Sequence, residues 1–121
     1  MAKDDMQLIV YKVLRYLYDC NRRGKTPTFS DLYAALEMPG VPISYLAQIL
    51  SNMMDSGYIS GCCITATKDA TLISVSEDAG ITISGTEYLS DNNRMKKAAK
   101  AAGRAFEIVL DGVIAAAMSR V

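Results

Sequence analysis

Residues 43–61 limit the choice of fold more than any other part of the chain. Their apolar side chains recur at intervals of three and four residues, the spacing of a helix with one buried face. These side chains are Ile43, Leu46, Ala47, Leu50, Met53 and Met54. Gly57 follows and is suited to the left-handed conformation that ends many helices. A β-prone segment begins at Tyr58. The stretch therefore predicts a helix, a tight turn and the opening of a strand.

Two more helices are predicted on the N-terminal side of this stretch. Residues 4–23 carry apolar side chains at helical spacing, with Met6 in the buried stripe and with Lys12, Arg15 and Arg22 expected mostly outside. A second helix is predicted at residues 31–38, capped by Ser30. Residues 38–42 hold two prolines and a glycine, which indicates the turn between the second and third helices.

A β-ribbon is predicted on the C-terminal side. Its expected parts are a strand at 58–67, a loop at 68–70, a return strand at 72–75, a turn at 76–80 and a β segment at 81–84. A further helix is expected to open at Gly85 and Thr86. Three helices followed by a β-ribbon predict an α+β winged helix-turn-helix domain over residues 1–92.

The C-terminal residues 93–121 predict a long helix that serves as a dimerisation element. Apolar residues recur there in alternating four- and three-residue steps, as in a heptad seam. We expect a homodimer whose contact residues are Met95, Ala99, Ala102, Phe106, Val109 and Val113. A continuous helix over residues 95–121 would extend about 40 Å and reach well past a small domain. Gly103 and Gly112 lower its helix propensity and permit close approach of a partner helix.

The formal charge is zero, but the charges are unevenly distributed. Residues 1–25 carry six basic and three acidic side chains, a net charge of +3. Residues 26–93 carry one basic and eight acidic side chains, a net charge of −7, and residues 94–121 carry six basic and two acidic ones, a net charge of +4. The acidic middle contains the third predicted helix, which weighs against simple electrostatic binding of nucleic acid there.

The sequence offers little to a catalytic or metal site. With no histidine, a Ser-His or Cys-His catalytic pair is impossible. Cys20, Cys62 and Cys63 form no Cys-x-x-Cys motif, and we interpret them as reduced thiols of a cytoplasmic protein. We predict a non-enzyme without cofactor, metal or small-molecule substrate. No signal peptide is expected, because residues 1–5 (MAKDD) lack its positively charged start and apolar run. No membrane span is expected, because Glu107 and Asp111 interrupt the apolar C-terminal stretch.

Three segments resemble the YjcQ family of bacterial and phage-associated winged-helix proteins. They are residues 3–18 (KDDMQLIVYKVLRYLY), 55–61 (DSGYISG) and 81–89 (ITISGTEYL), the last followed by Asn92 and a Met-Lys-Lys run. The resemblance spans residues 3–97, and its most distinctive part is the opening segment. It implies a winged-helix fold and transfers no catalytic or binding residue to this chain.

Two functions are compatible with these features. The first is binding of double-stranded DNA as a dimer in a transcription-related role. Its candidate contacts are Ser44, Gln48, Ser51 and Asn52 on the third helix, Lys68 on the wing, and Lys12, Arg15 and Arg22 on the first helix. The second is a non-catalytic protein–protein adaptor of a phage or mobile element, in which the polar side of the third helix is a solvated face.

Overall fold

The computed structural model describes residues 3–37 and 40–119, with side chains described from residue 6 onward. The elements in chain order are α1 (Lys3–Arg23), α2 (Phe29–Leu36), α3 (Ile43–Asp55), β1 (Ile59–Ala66), β2 (Thr71–Ile81), α4 (Ile83–Asp91) and α5 (Asn93–Ser119). Within these residues the chain has an α+β fold with five helices and one two-stranded antiparallel sheet. The predicted turn at 38–42 falls partly outside the described residues, which exclude Met38 and Pro39.

Threonine side chains set the starts of α2 and α4. The Thr28 hydroxyl accepts a hydrogen bond from the Asp31 amide at 3.2 Å, so Thr28, not the predicted Ser30, caps α2. The Thr82 hydroxyl likewise accepts from the Gly85 amide at 2.9 Å. This cap starts α4 at Ile83, earlier than the predicted opening at Gly85.

The predicted end of α3 is confirmed. Gly57 has a φ of 78°, in the left-handed region. The amide of Tyr58 donates to the carbonyl of Met53 at 2.9 Å, and the amide of Gly57 donates to that of Met54 at 3.0 Å. These bonds satisfy the last carbonyls of α3, because a left-handed residue turns the following amides back onto the helix.

The two strands form one long hairpin, paired from Ile59 with Ile81 to Ala66 with Thr71. The predicted turn at 76–80 is wrong, as is the separate β segment at 81–84. Ser60 pairs with Gly80 and Cys62 with Val75, so Gly61 alone faces residues 76–79. The polar run therefore bulges outward within β2 without reversing the chain.

Helix α1 lies at the centre of the core and packs against α2, α3, α4, α5 and β2. Its fully buried residues include Ile9, Leu14 and Tyr16. The predicted stripe consisted of Met6, Ile9, Val10, Val13, Leu14 and Leu17, so it did not include Tyr16, and its member Met6 is 39% exposed. The buried arc is wider than one stripe because neighbouring elements cover α1 from several sides.

Helix α5 folds back onto the domain and is not the straight projecting helix expected from the sequence. It bends at Gly103, whose φ of 67° and ψ of −167° are non-helical. On the far side of the bend Phe106, Leu110 and Ile114 are buried in the same core as α1 and α2. The rings of Phe106 and Tyr11 lie 5.7 Å apart between centroids. The side of α5 that carries Phe106, Leu110 and Ile114 is therefore covered by its own chain.

The predicted dimerisation residues lie on or beside this covered side. Met95 is fully buried and Phe106 is 4% exposed. The other four are half-buried, namely Ala99, Ala102, Val109 and Val113. The side of α5 expected to meet a second copy therefore packs against its own chain. None of the helices in the described ranges is both long and apolar enough to span a bilayer.

Candidate nucleic-acid interface

Helix α3 presents an uncharged polar face to solvent. Ser44, Gln48 and Asn52 are spaced four residues apart and are all exposed, and Ser51 beside them is half-exposed. The opposite side of α3 is anchored by Leu46 and other buried residues, so the helix cannot rotate this face inward. The face therefore displays amide and hydroxyl groups, which donate and accept hydrogen bonds, at a fixed orientation.

The N-terminus of α3 carries no capping side chain. Pro42 is the N-cap residue, and no side-chain hydrogen bond is made there. The first turn also contains no acidic residue. Because amide groups and the helix dipole give this end a partial positive charge, it is suited to an anion such as a phosphate.

Lys68 lies at the tip of the β1–β2 hairpin, where a tight turn fixes the chain. The amide of Thr67 donates to the Ala70 carbonyl at 2.7 Å, and the amide of Ala70 donates to the Thr67 hydroxyl at 3.0 Å. Lys68 is exposed, and so is its neighbour Asp69. The tip therefore offers one cation with a carboxylate beside it.

Lys12 is a predicted contact that the structure places inside the protein. Its exposed fraction is 8%, so the prediction that it lies outside is wrong. Its Nζ donates to the Leu36 carbonyl at 2.7 Å and lies 5.4 Å from the centroid of the Phe106 ring. Burial lowers the pKa of Lys12, although nearby Glu37 opposes the shift. Lys12 joins α1 to the C-terminal end of α2.

Arg15 is also taken up by contacts within the chain. Its guanidinium donates to Glu107 Oε2 at 2.8 Å and to the Tyr11 hydroxyl at 2.9 Å. The hydrogen bonds with Glu107 raise the pKa of Arg15 and lower the pKa of the Glu107 carboxyl. Arg15 thus fastens α5 to α1.

Arg22 remains exposed at the end of α1. Its guanidinium lies 5.8 Å from the centroid of the Tyr18 ring, and Nη1 is 3.4 Å from the Tyr18 hydroxyl. Of the eight predicted contacts, Lys12 and Arg15 are therefore engaged within the chain, and the other six face solvent fully or in part. The exposed set is Ser44, Gln48, Ser51, Asn52, Lys68 and Arg22.

A comparison with protein-family models gives the relationship of this chain. The family described as YjcQ protein matches residues 11–107. The chain belongs to the YjcQ family. The resemblance drawn from the sequence is confirmed, and the match reaches beyond residue 97 to include the bend of α5 and Phe106. Neither the curated proteins nor the solved structures searched gave a match.

The YjcQ-family chain carries its exposed positive charge mainly on α5. Arg94, Lys96, Lys97, Lys100 and Arg104 form what we call the α5 basic stripe, and all five are exposed. No ion pair within the described residues involves them. The stripe lies on α5, which packs against α1, α2 and α4, whereas the polar face lies on α3.

Lys25 is a buried charge that no sequence motif or spacing singles out. Its Nζ lies 3.0 Å from Asp31 Oδ2 and donates to the Tyr16 hydroxyl at 3.1 Å and the Thr26 carbonyl at 2.8 Å. Burial opposes its charge, but the bonds to Asp31 and Tyr16 outweigh this and raise the pKa of Lys25. The group joins α1 to the start of α2, a structural role that only the tertiary arrangement makes visible.

Cys62 and Cys63 of this YjcQ-family chain take the orientations expected for neighbouring residues of a strand. Cys62 is half-buried and its neighbour Cys63 is exposed, which confirms that they face opposite sides of the hairpin. Burial raises the pKa of the Cys62 thiol, which favours the less reactive protonated form. The described residues contain no group of three or more histidine, cysteine or acidic side chains placed to bind a metal ion.

Proposed function

We propose that this chain is a winged-helix protein that binds double-stranded DNA in a transcription-related role. Helix α3 would lie in the major groove and the β1–β2 hairpin would serve as the wing. The order of three helices followed by a two-stranded hairpin supports this assignment. The observation that carries it is the outward face of α3, where Gln48 and Asn52 stand one turn apart and exposed.

The chemistry of this face suits base edges. Glutamine and asparagine side chains form paired hydrogen bonds with adenine, so uncharged side chains can recognise this base. Phosphates would be held by the uncapped N-terminus of α3, by Lys68 and by Arg22. Because Lys12 and Arg15 are engaged within the chain, few cations remain to displace counterions. Each phosphate contact contributes about 0.9 to the slope of log K against log salt, so two cations give a shallow slope of roughly −2.

A second candidate function is an adaptor that binds an acidic protein surface. The α5 basic stripe favours it, because these five cations are exposed, form no ion pair with any residue that the structure describes, and lie on a different helix from the polar face of α3. In this function the polar face of α3 is solvated and the stripe makes the contact. The two functions predict that different substitutions weaken binding: those on α3 for DNA, and those in the α5 basic stripe for an adaptor.

The DNA proposal is tested by selecting bound duplexes from a random pool at low salt and measuring affinities by fluorescence anisotropy. Gln48→Ala is expected to weaken binding to a selected sequence by about 1–3 kcal/mol while leaving binding to a scrambled duplex nearly unchanged. Lys68→Ala is expected to weaken both equally and to reduce the salt slope by about 1.

Lys97→Ala is the matched control, since Lys97 is an exposed lysine on α5. It should leave DNA affinity unchanged. Absence of binding to any duplex at micromolar protein would overturn the proposal. A loss with Lys97→Ala that equals the loss with Lys68→Ala would also overturn it, because the contact would then lie on α5.

A further inference from the structure

The outer face of α5 is an apolar surface that nothing in the described chain covers. Ile108 is 66% exposed and Met118 is 42% exposed. Ala105, Gly112 and Ala115 are exposed along the same side of the helix. A solvent-facing helix surface normally carries many charged residues, and one that is mostly small and apolar, with Arg104 and Asp111 along one flank, indicates a contact site.

Few charged residues occur in this part of α5, and two of them point toward α1. Between residues 104 and 119 the charged residues are Arg104, Glu107 and Asp111. Glu107 is bonded to Arg15, and Asp111 Oδ1 lies 2.5 Å from Nη2 of Arg23. Both carboxylates are therefore drawn toward α1. Arg104, at the edge of the face, makes no hydrogen bond or ion pair within the described residues.

We propose that a second copy of this chain packs on the outer face of α5, antiparallel, with Ile108 against Ile108 at the two-fold axis. A two-fold contact uses the same patch on both copies, so the patch must complement itself. The large Ile108 lies among small residues on both sides along the helix. Ala105 and Gly112 are each within one turn of it and allow the two helix axes to come close together.

Charge complementarity supports this arrangement and fixes its direction. Arg104 precedes Ile108 by four residues, and Asp111 follows it by three. At about 1.5 Å per residue they lie about 6 Å and 4.5 Å from the centre, on opposite sides along the axis. A separation of seven residues also places them on nearly the same flank of the helix. An antiparallel two-fold pairing therefore brings Arg104 of each copy beside Asp111 of the other.

Asp111 has room for this second partner. Its side chain is 65% exposed although it already contacts Arg23. A parallel pairing would instead leave Arg104 of one copy and Asp111 of the other about 10 Å apart along the axis, so the two charges would not meet. The contact involves neither the polar face of α3 nor the hairpin, so its test has an outcome that does not depend on DNA binding.

Sedimentation equilibrium over a range of protein concentrations tests the dimer. The wild-type chain is expected to show a monomer–dimer equilibrium. Ile108→Glu should raise the dissociation constant about tenfold or more, because it places two carboxylates together at the centre of the contact. Ile83→Glu is the matched control, since Ile83 is 82% exposed on α4 and its replacement should leave the equilibrium unchanged.

A charge exchange tests the direction of the pairing. Arg104→Asp and Asp111→Arg are each expected to weaken the dimer several-fold, and the double variant should recover most of the loss. Circular dichroism of each variant checks that the fold is retained. A monomer at every concentration would overturn the proposal, as would a dimer insensitive to Ile108→Glu. Failure of the double variant to recover would rule out the antiparallel arrangement.

Discussion

Replacing Phe106 with alanine is expected to lower the free energy of unfolding by about 3–5 kcal/mol, a large part of the stability of a small domain. Phe106 is 4% exposed, packs its ring against Tyr11, and lies beneath the Lys12 ammonium group. Its removal leaves a cavity between α1 and α5. It also removes the aromatic ring that packs against the buried Lys12 ammonium group. Urea denaturation followed by circular dichroism measures the loss.

Ile108→Ala is the control for this experiment. Ile108 lies two residues from Phe106 on the same helix but is 66% exposed. At a dilution where the wild-type chain is monomeric, its replacement should change the free energy of unfolding by no more than about 0.5 kcal/mol. Equal effects of the two substitutions would contradict the placement of α5 against α1, because they would mean that Phe106 is no more deeply packed than Ile108.

Gly61→Ala is expected to destabilise the chain by about 2–4 kcal/mol, through strain and overpacking together. Gly61 has a φ of 88°, which an L side chain rarely adopts. A Cβ atom there would lie 2.4 Å from the Cα and 2.7 Å from the Cβ of Ala79 on the opposite strand. The hairpin would have to move apart at the bulge. Urea denaturation measures the stability, and amide hydrogen exchange in β2 locates the disturbance.

Gly57→Ala separates the two causes. Gly57 also has a positive φ, 78°, but a Cβ atom there would meet nothing within 4 Å. This substitution should therefore show the strain alone, about 1 kcal/mol. If Gly57→Ala and Gly61→Ala were equally destabilising, close packing of the bulge against Gly61 would contribute nothing, and the argument from Ala79 would be wrong.

The sequence was most informative where the signals were local. The course of α3 follows from the spacing of its apolar residues and from Gly57, and both belong to one short stretch of chain. The bulge in β2 was missed because residues 76–79 have the composition of a turn. Only the pairing of Ser60 with Gly80 and Cys62 with Val75 shows that they remain within a strand.

The candidate site was predicted in part, and the errors have a common cause. The polar face of α3 lies where helical periodicity placed it. Lys12 and Arg15 were misjudged because their partners, Leu36 and Glu107, are distant in sequence and cover α1 from additional sides. For α5 the apolar spacing indicated a packed face, but spacing alone does not say which chain supplies the partner, and it gave no sign of the bend at Gly103.

The contact between α1 and α5 brings together residues that are far apart in the sequence, since Arg15 and Glu107 are 92 positions apart. During synthesis α1 is made well before the part of α5 that completes its surroundings. Part of the apolar surface of α1 therefore stays unburied until that part of α5 has been made. In this period of exposure, binding by a chaperone is an advantage.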